Sequence, residues 1–362
     1  MNENYYYTFP ALRGKQAKKD YYIIMCPLKN LSKLFVFNDD DIPVDFRAQR
    51  IINKVRIPEI ANYMLKNPND YVFSSITASV DGKFEFVSYD KTYSESIGTL
   101  KISMDSKLLI NDGQHRRAAI AEALKADPDL GDESISIVLF IDEDLKKSQQ
   151  IFSDLNKHAI NVSKSIGILY DSRDPLAILT KQLIESNVFL KNYTDKENAS
   201  LPKFSNKLFI LSSIYETNKR ILNKININDE NARKFIFEFW CFLCKNLKEW
   251  QFVFKKDINA HNFRDSYLSS TGVILESLGN IGNFIYKNNY NNWENALIPL
   301  NEIDWNRNNL TDWQNRVISQ NGKIIKSSNH IKLTTNLIKI KLNLPLTKEE
   351  EQVENTFRKE LK

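Results

Sequence analysis

The spacing of apolar residues changes part-way along the chain. Over the first 165 residues, short apolar runs alternate with amphipathic stretches. Residues 21–25 form one such run, stopped by Cys26 and Pro27, and 34–37, 72–80, 107–110 and 134–141 read the same way, as strands. The run at 134–141, SISIVLFI, is strongly apolar and is expected at the centre of a sheet. Asp81-Gly82, lying between residues 72–80 and 84–87, predicts a hairpin turn. Helical spacing shows at 46–65, with a new start near Pro58, and at 144–156, with Leu145, Phe152 and Leu155 inward. Ala119, Ile120, Ala123 and Leu124 mark one buried helix face.

Beyond residue 165 strand signals become scarce. Segments of helical period follow at 175–186, 206–221, 231–254 and 261–286. The expected fold class is α+β, with a mixed α/β domain over residues 1–165 followed by a mostly α-helical domain over 166–362.

With 362 residues, 42% of them hydrophobic, the chain can bury two cores. No apolar run reaches the roughly 18 to 20 residues a membrane span needs, and there is no signal-peptide pattern, so a cytoplasmic protein without a membrane partner is expected. The cysteines, Cys26, Cys241 and Cys244, are too few for a disulfide framework. Cys241 and Cys244 stand with two residues between them in the apolar stretch FIFEFWCFLCKNLKEW, without a second pair or a nearby histidine, so core packing is expected there and no metal. Cys26 has two readings. Basic neighbours Arg13, Lys15, Lys18 and Lys19 would lower its pKa and make it a regulatory thiol, whereas burial at a strand end would make it structural.

The balance of 50 basic and 45 acidic residues does not mark a nucleic-acid binder, but the distribution is uneven. Residues 313–348 hold no Asp or Glu, while Arg316, Lys323, Lys326, Lys332, Lys339, Lys341 and Lys348 are all basic. That stretch reads either as a phosphate-facing surface or as a solvated tail. Arg47, Arg50 and Lys54 share a helix face by spacing. The DNA-contact candidates are therefore Arg47, Arg50, Lys54, Arg316, Lys323, Lys326 and Lys332. Four scattered histidines and the lack of a paired-carboxylate motif leave protease and glycosidase chemistry without support.

The densest chemistry lies at residues 108–124, LLINDGQHRRAAIAEAL, where a strand hands over to a helix through Asp112-Gly113. Such a junction offers backbone N–H groups and the positive end of a helix dipole, a ready anion site. Gly113 lets the backbone approach closely, Arg116 and Arg117 add forked donors, and His115 can donate or move a proton. Asp112 either caps the helix or helps to hold a divalent metal beside bound phosphates. A capped helix with two solvated arginines is the competing reading.

The string DGQHR at residues 112–116 resembles the signature of the DGQHR-domain family, which includes the DndB-type proteins of DNA sulfur modification (phosphorothioation). The segments ALRGKQAKKDYYIIMCPL, FSDLNKHAINVSKS and DWQNRVISQNGKIIKSSNHIKLTTNLIK are similar as well, so the resemblance runs close to full length. It implies a ParB/sulfiredoxin-like first domain. By that resemblance Gly113, Gln114, His115, Arg116 and Arg117 belong to a nucleotide-phosphate pocket, with Asn156 a further polar contact and Asp112 and His115 catalytic if the protein is an NTPase. Gln114 stands where sulfiredoxins carry their reactive cysteine, which removes thiol-repair chemistry. The implied function is a DNA-binding transcriptional repressor of a phosphorothioate system, a homo-oligomer acting on promoter double-stranded DNA and on other sulfur-modification proteins. ATP or another NTP with Mg2+ is the implied cofactor. The alternative is an ATPase or nuclease-type accessory enzyme using the same residues.

Overall fold

The computed structural model describes residues 5–35, 56–90, 94–141, 163–290 and 292–360. The expected helix at 144–156 and the first half of the one at 46–65 lie outside these residues, as do Arg47, Arg50, Lys54 and Asn156. The chain forms two compact units, Met1–Ile160 and Asn161–Lys362.

The first unit opens with a hairpin, β1 (Tyr6–Gln16) and β2 (Lys19–Pro27), with Gln16 opposite Lys19. Its two turn residues, Ala17 and Lys18, have φ of 50° and 63°, the left-handed values a two-residue hairpin requires. Along β2 the residues Tyr22, Ile24 and Cys26 are buried while Met25 is exposed, so this strand has one wet face. Helix α1 (Leu28–Leu34) follows at once and buries Leu28, Leu31 and Leu34. Leu34 therefore ends a helix instead of opening the strand expected at 34–37. Helix α2 (Arg56–Lys66) carries Pro58 in its first turn, where a missing N–H costs nothing.

Strands β3 (Ile76–Asp81), β4 (Phe84–Asp90), β5 (Ser94–Ser103) and β6 (Lys107–Asp112) come next, then α3 (Gln114–Ala126) and β7 (Ser134–Ile141). The seven strands form one mixed sheet in the order β4-β5-β1-β2-β7-β3-β6. β7 sits inside it, parallel to β3 and antiparallel to β2, with the bounds its apolar run predicts.

Asp81-Gly82 does not make the expected hairpin, because β3 and β4 do not pair. β3 pairs with β6 and β7, whereas β4 pairs with β5. β3 and β4 stand five strand spacings apart in the sheet order, about 24 Å if the sheet were flat. The three Cα steps from Asp81 to Phe84 span at most about 11 Å. The sheet must therefore curl back on itself. Asp81 lies opposite Lys107 and Phe84 opposite Ile102, so β3–β4 and β5–β6 are two arms of one long antiparallel ribbon with a corner between. Gly82, at φ 138°, makes that corner; a Cβ there would sit 2.8 Å from the Ser106 Cα. One core holds the buried residues of the sheet together with Leu28, Leu31, Met64, Ala119, Ile120 and Ala123 of the three helices.

The second unit is helical apart from a two-residue parallel pairing of Thr194–Asp195 with Phe209–Ile210. Its helices include α4 (Lys164–Tyr170), α5 (Pro175–Ser186), α6 (Val188–Tyr193), α7 (Leu211–Ile221), α8 (Glu230–Asn246), α9 (Lys248–Phe254), α10 (Ala260–Ser266) and α11 (Gly272–Lys287). The expected helices at 231–254 and 261–286 are thus each broken, at Leu247 and across residues 267–271, and the one at 206–221 starts only at Leu211. After short helical turns come α12 (Ser328–Lys341) and α13 (Lys348–Glu360). A capping box opens α13: the Glu350 N–H donates to Thr347 Oγ1 at 3.2 Å and the Thr347 N–H to Glu350 Oε2 at 2.8 Å. Trp240, Trp250, Trp305 and Trp313 are fully buried in this unit's core. Cys244 is buried among them and Cys241 half-buried; both are free thiols. Among the described residues no helix is long and apolar enough to cross a membrane.

Candidate functional site

The turn at residues 112–116 begins with a bulge. Ile110 and Asp112 pair with the adjacent residues Ala78 and Thr77, which leaves Asn111 as the extra residue of β6. Asn111 is fully buried and its Nδ2 donates to Ser79 Oγ at 2.7 Å. The bulge thereby sends Asn111 inward and leaves Asp112 exposed at the strand end. Gly113 follows at φ 109° and ψ 13°, and a Cβ there would lie 2.9 Å from Ile76 Cγ1, so both backbone and space select glycine. Helix α3 starts at the next residue, held by its buried face of Ala119, Ile120 and Ala123.

The side chains of the turn are engaged within the fold. Arg116 Nη2 donates to Asp112 Oδ2 at 2.6 Å, while its Nη1 donates to the Ser74 carbonyl at 3.0 Å and to the Ser74 hydroxyl. Gln114 Nε2 folds back on the carbonyls of Ile110 (3.0 Å) and Asn111 (3.4 Å). Arg117 Nη2 donates to the Phe35 carbonyl at 2.8 Å, and burial draws its pKa down. The two arginines are therefore not the solvated pair of the competing reading. Asp112 does not cap α3 either: Gly113 is the N-cap, there is no side-chain cap, and the first turn holds no acid. That leaves the positive end of a 13-residue helix without a capping side chain.

His115 is half-buried, and its pKa is lowered first by burial and then by the positive charge of Arg56, against an opposing pull from Asp112. The start of α2 thus brings a further cation to the turn. Arg56, Ser74 and the Phe35 carbonyl belong to this cluster, and no spacing rule links any of them to residue 112. The only hint was that Arg56 continues the basic run containing Arg47, Arg50 and Lys54.

The other expected sites divide. Arg316 is buried, its guanidinium donating to both carboxylate oxygens of Glu354 at 2.9 and 2.6 Å and to the Leu333 carbonyl at 2.7 Å, so it cannot face DNA. Lys326 pairs with Glu276 at 2.6 Å. Lys323 and Lys332 are exposed and have no ion pair among the described residues. The expected lowering of the Cys26 pKa does not occur. Cys26 is fully buried, and burial pushes its thiol up to about 11, which fits the structural of its two readings.

Fold and turn together define a mixed α/β protein with a charged strand-to-helix junction in its first unit and a tryptophan-rich helical second unit. The family described as DndB, DNA-sulfur modification-associated, matches residues 9–345, and the chain belongs to it. Neither the curated proteins nor the solved structures compared with it contain a match. The family ties the protein to DNA sulfur modification.

Proposed function

We propose that this chain is a DNA-binding regulator of a DNA sulfur-modification system, a repressor acting as a homo-oligomer at the promoter of the modification genes. The observation that carries this reading is family membership across residues 9–345. The turn at residues 112–116 is its phosphate-responsive site, in keeping with the resemblance to ParB-like junctions. Three features support that role: an uncapped helix start, a glycine that brings the backbone close, and the cations Arg56 and Arg116 beside His115. A phosphate, free or on an NTP, competes with Asp112 for Arg116, so Asp112 is a resident anion that the ligand displaces. An ATPase or nuclease reading would instead require Asp112 to leave Arg116 and take Mg2+, and nothing in the geometry of the turn favours it.

Anisotropy titration of a labelled promoter duplex and a scrambled duplex, at about 50 and 200 mM salt, tests the proposal. Promoter binding tighter than scrambled, weakening with salt and shifting when ATP is added, is expected. Equal affinity for the two duplexes at both salt concentrations sinks the repressor reading.

A further inference from the structure

A cleft of about 390 Å³ opens in the second unit among α7, α11, α12 and α13. Its size suits one small molecule, since ligand pockets run from about 300 Å³ upward. Five asparagines line it, and four of them, Asn280, Asn283, Asn288 and Asn336, spend their NH2 groups on the protein. Asn280 Nδ2 donates to Thr335 Oγ1 at 3.1 Å, and Asn283 Nδ2 donates to the carbonyls of Ile221 (2.7 Å) and Asn223 (2.9 Å). Asn288 Nδ2 donates to the Phe284 carbonyl at 2.7 Å and Asn336 Nδ2 to the Glu350 carbonyl at 2.9 Å. For Asn283, Asn288 and Asn336 the partner is a carbonyl, which can only accept, so the NH2 end of each amide must face it and the way round is fixed. None of the four Oδ1 atoms accepts a hydrogen bond from a described residue. Asn336 is the sharpest case: the residue is fully buried and its Oδ1 has no partner. A buried acceptor left in that state is destabilising, and natural cores rarely carry one without a reason.

The charges around the cleft define the other half of the ligand. Lys339 is spent on Glu350 at 2.7 Å, and Arg220 on Glu276 at 2.9 Å. Lys287 and Lys332 line the cleft, are exposed, and have no ion pair among the described residues, against one exposed acid, Glu349. The cleft therefore offers carbonyl acceptors together with two cations unmatched within the fold. We propose that it binds a small phosphomonoester whose body carries several hydroxyl or amino donors. The phosphate meets Lys287 and Lys332, and the donors face the asparagine carbonyls. A mononucleotide and a sugar phosphate share this chemistry. The site is separate from the turn at residues 112–116 and does not rest on the DNA-binding reading.

Calorimetric titration of the full chain, without DNA, tests it against nucleoside monophosphates, ribose 5-phosphate and inorganic phosphate. Binding of a phosphomonoester at least tenfold tighter than inorganic phosphate is expected. The double variant Lys287→Glu/Lys332→Glu, whose changes lie on exposed side chains, should weaken it by about tenfold or more, the scale of losing charge-assisted hydrogen bonds. Asn280→Leu, which removes one acceptor and a single hydrogen bond to Thr335, should weaken it severalfold. Lys255→Glu, on an exposed residue outside the cleft, serves as the charge control and should leave it unchanged. Thermal melts check that each variant is folded. Preference for nucleotides over ribose 5-phosphate assigns the base as the donor body, and the reverse assigns the sugar. No binding at millimolar concentration, equal binding of inorganic phosphate, or full binding by the folded double variant overturns the proposal.

Discussion

Two stretches of this chain look alike as sequence, the turn at residues 112–116 and the acid-free run at 313–348, because both crowd cations where phosphate contacts are expected. In the fold both are met by carboxylates, by different routes. Arg116 is matched by Asp112, four residues back on the same turn. The cations of the longer run are matched from outside it: Arg316 by Glu354, Lys326 by Glu276, Lys339 by Glu350 and Lys341 by Asp312. Four of its seven basic residues are thus neutralised by acids that lie before or after the run. An excess of charge along a chain is not an excess on its surface. The pairs also differ in burial, since the Arg316 and Glu354 side chains are 7% and 4% exposed whereas Asp112 is 53% exposed. The first is a structural bond and the second a pair that a ligand can displace.

The strongest way to break this contrast is to cut the buried pair. Glu354→Ala strands the Arg316 guanidinium in the core and should cost about 3–5 kcal/mol in urea unfolding, while Arg316→Met/Glu354→Leu together should recover most of it. Burial pushes the Glu354 pKa up, but the hydrogen bonds and charge of Arg316, helped by Arg358, outweigh it and hold the carboxyl below its ordinary range. Its contribution is then fully present above the ordinary glutamate pKa and is lost as pH falls through the depressed folded value. A loss for Glu354→Ala no larger than that of a surface pair would erase the contrast.

A smaller effect tests the turn itself. Gly113→Ala forces an L side chain to φ 109° with its Cβ against Ile76 and should destabilise the first unit by about 2 kcal/mol, read from the same unfolding curves. Asp112→Asn should change stability least, by about 1 kcal/mol or less, because the carboxylate is exposed. It should also raise the affinity for phosphate or ATP severalfold by freeing Arg116. A hydrolase that uses Asp112 shows the opposite, with lost turnover and no gain in binding, so phosphate-release and binding assays on one variant separate the two.

Much of the first unit was legible. The SISIVLFI run gave β7 its bounds and its place inside the sheet, and the spacing of Ala119, Ile120 and Ala123 gave the buried face of α3. β1 was missed because its hairpin turns on Ala17-Lys18, which carries none of the Gly or Asn that marks such turns. Asp81-Gly82 misled for the converse reason: it is turn chemistry used at a ribbon corner. In the second unit two helices read as continuous are broken, since helical period survives short interruptions whose cause is packing. At the candidate site, Gly113 and the charged residues after it could be read directly, but Ser74, Arg56 and the Phe35 carbonyl could not.

What the sequence determined by itself was local: strand and helix periods, the glycine junction before α3, and the family to which the chain belongs. Partner choice was decided only by tertiary structure. Which carboxylate meets Arg316, Lys326 or Lys341, whether Cys26 is wet or buried, and which asparagine carbonyls are left unpaired depend on residues that the fold brings together from distant parts of the chain. A charge or a hydrogen-bonding group acts through space over a few ångströms, and that distance is set by the fold and not by the spacing along the chain.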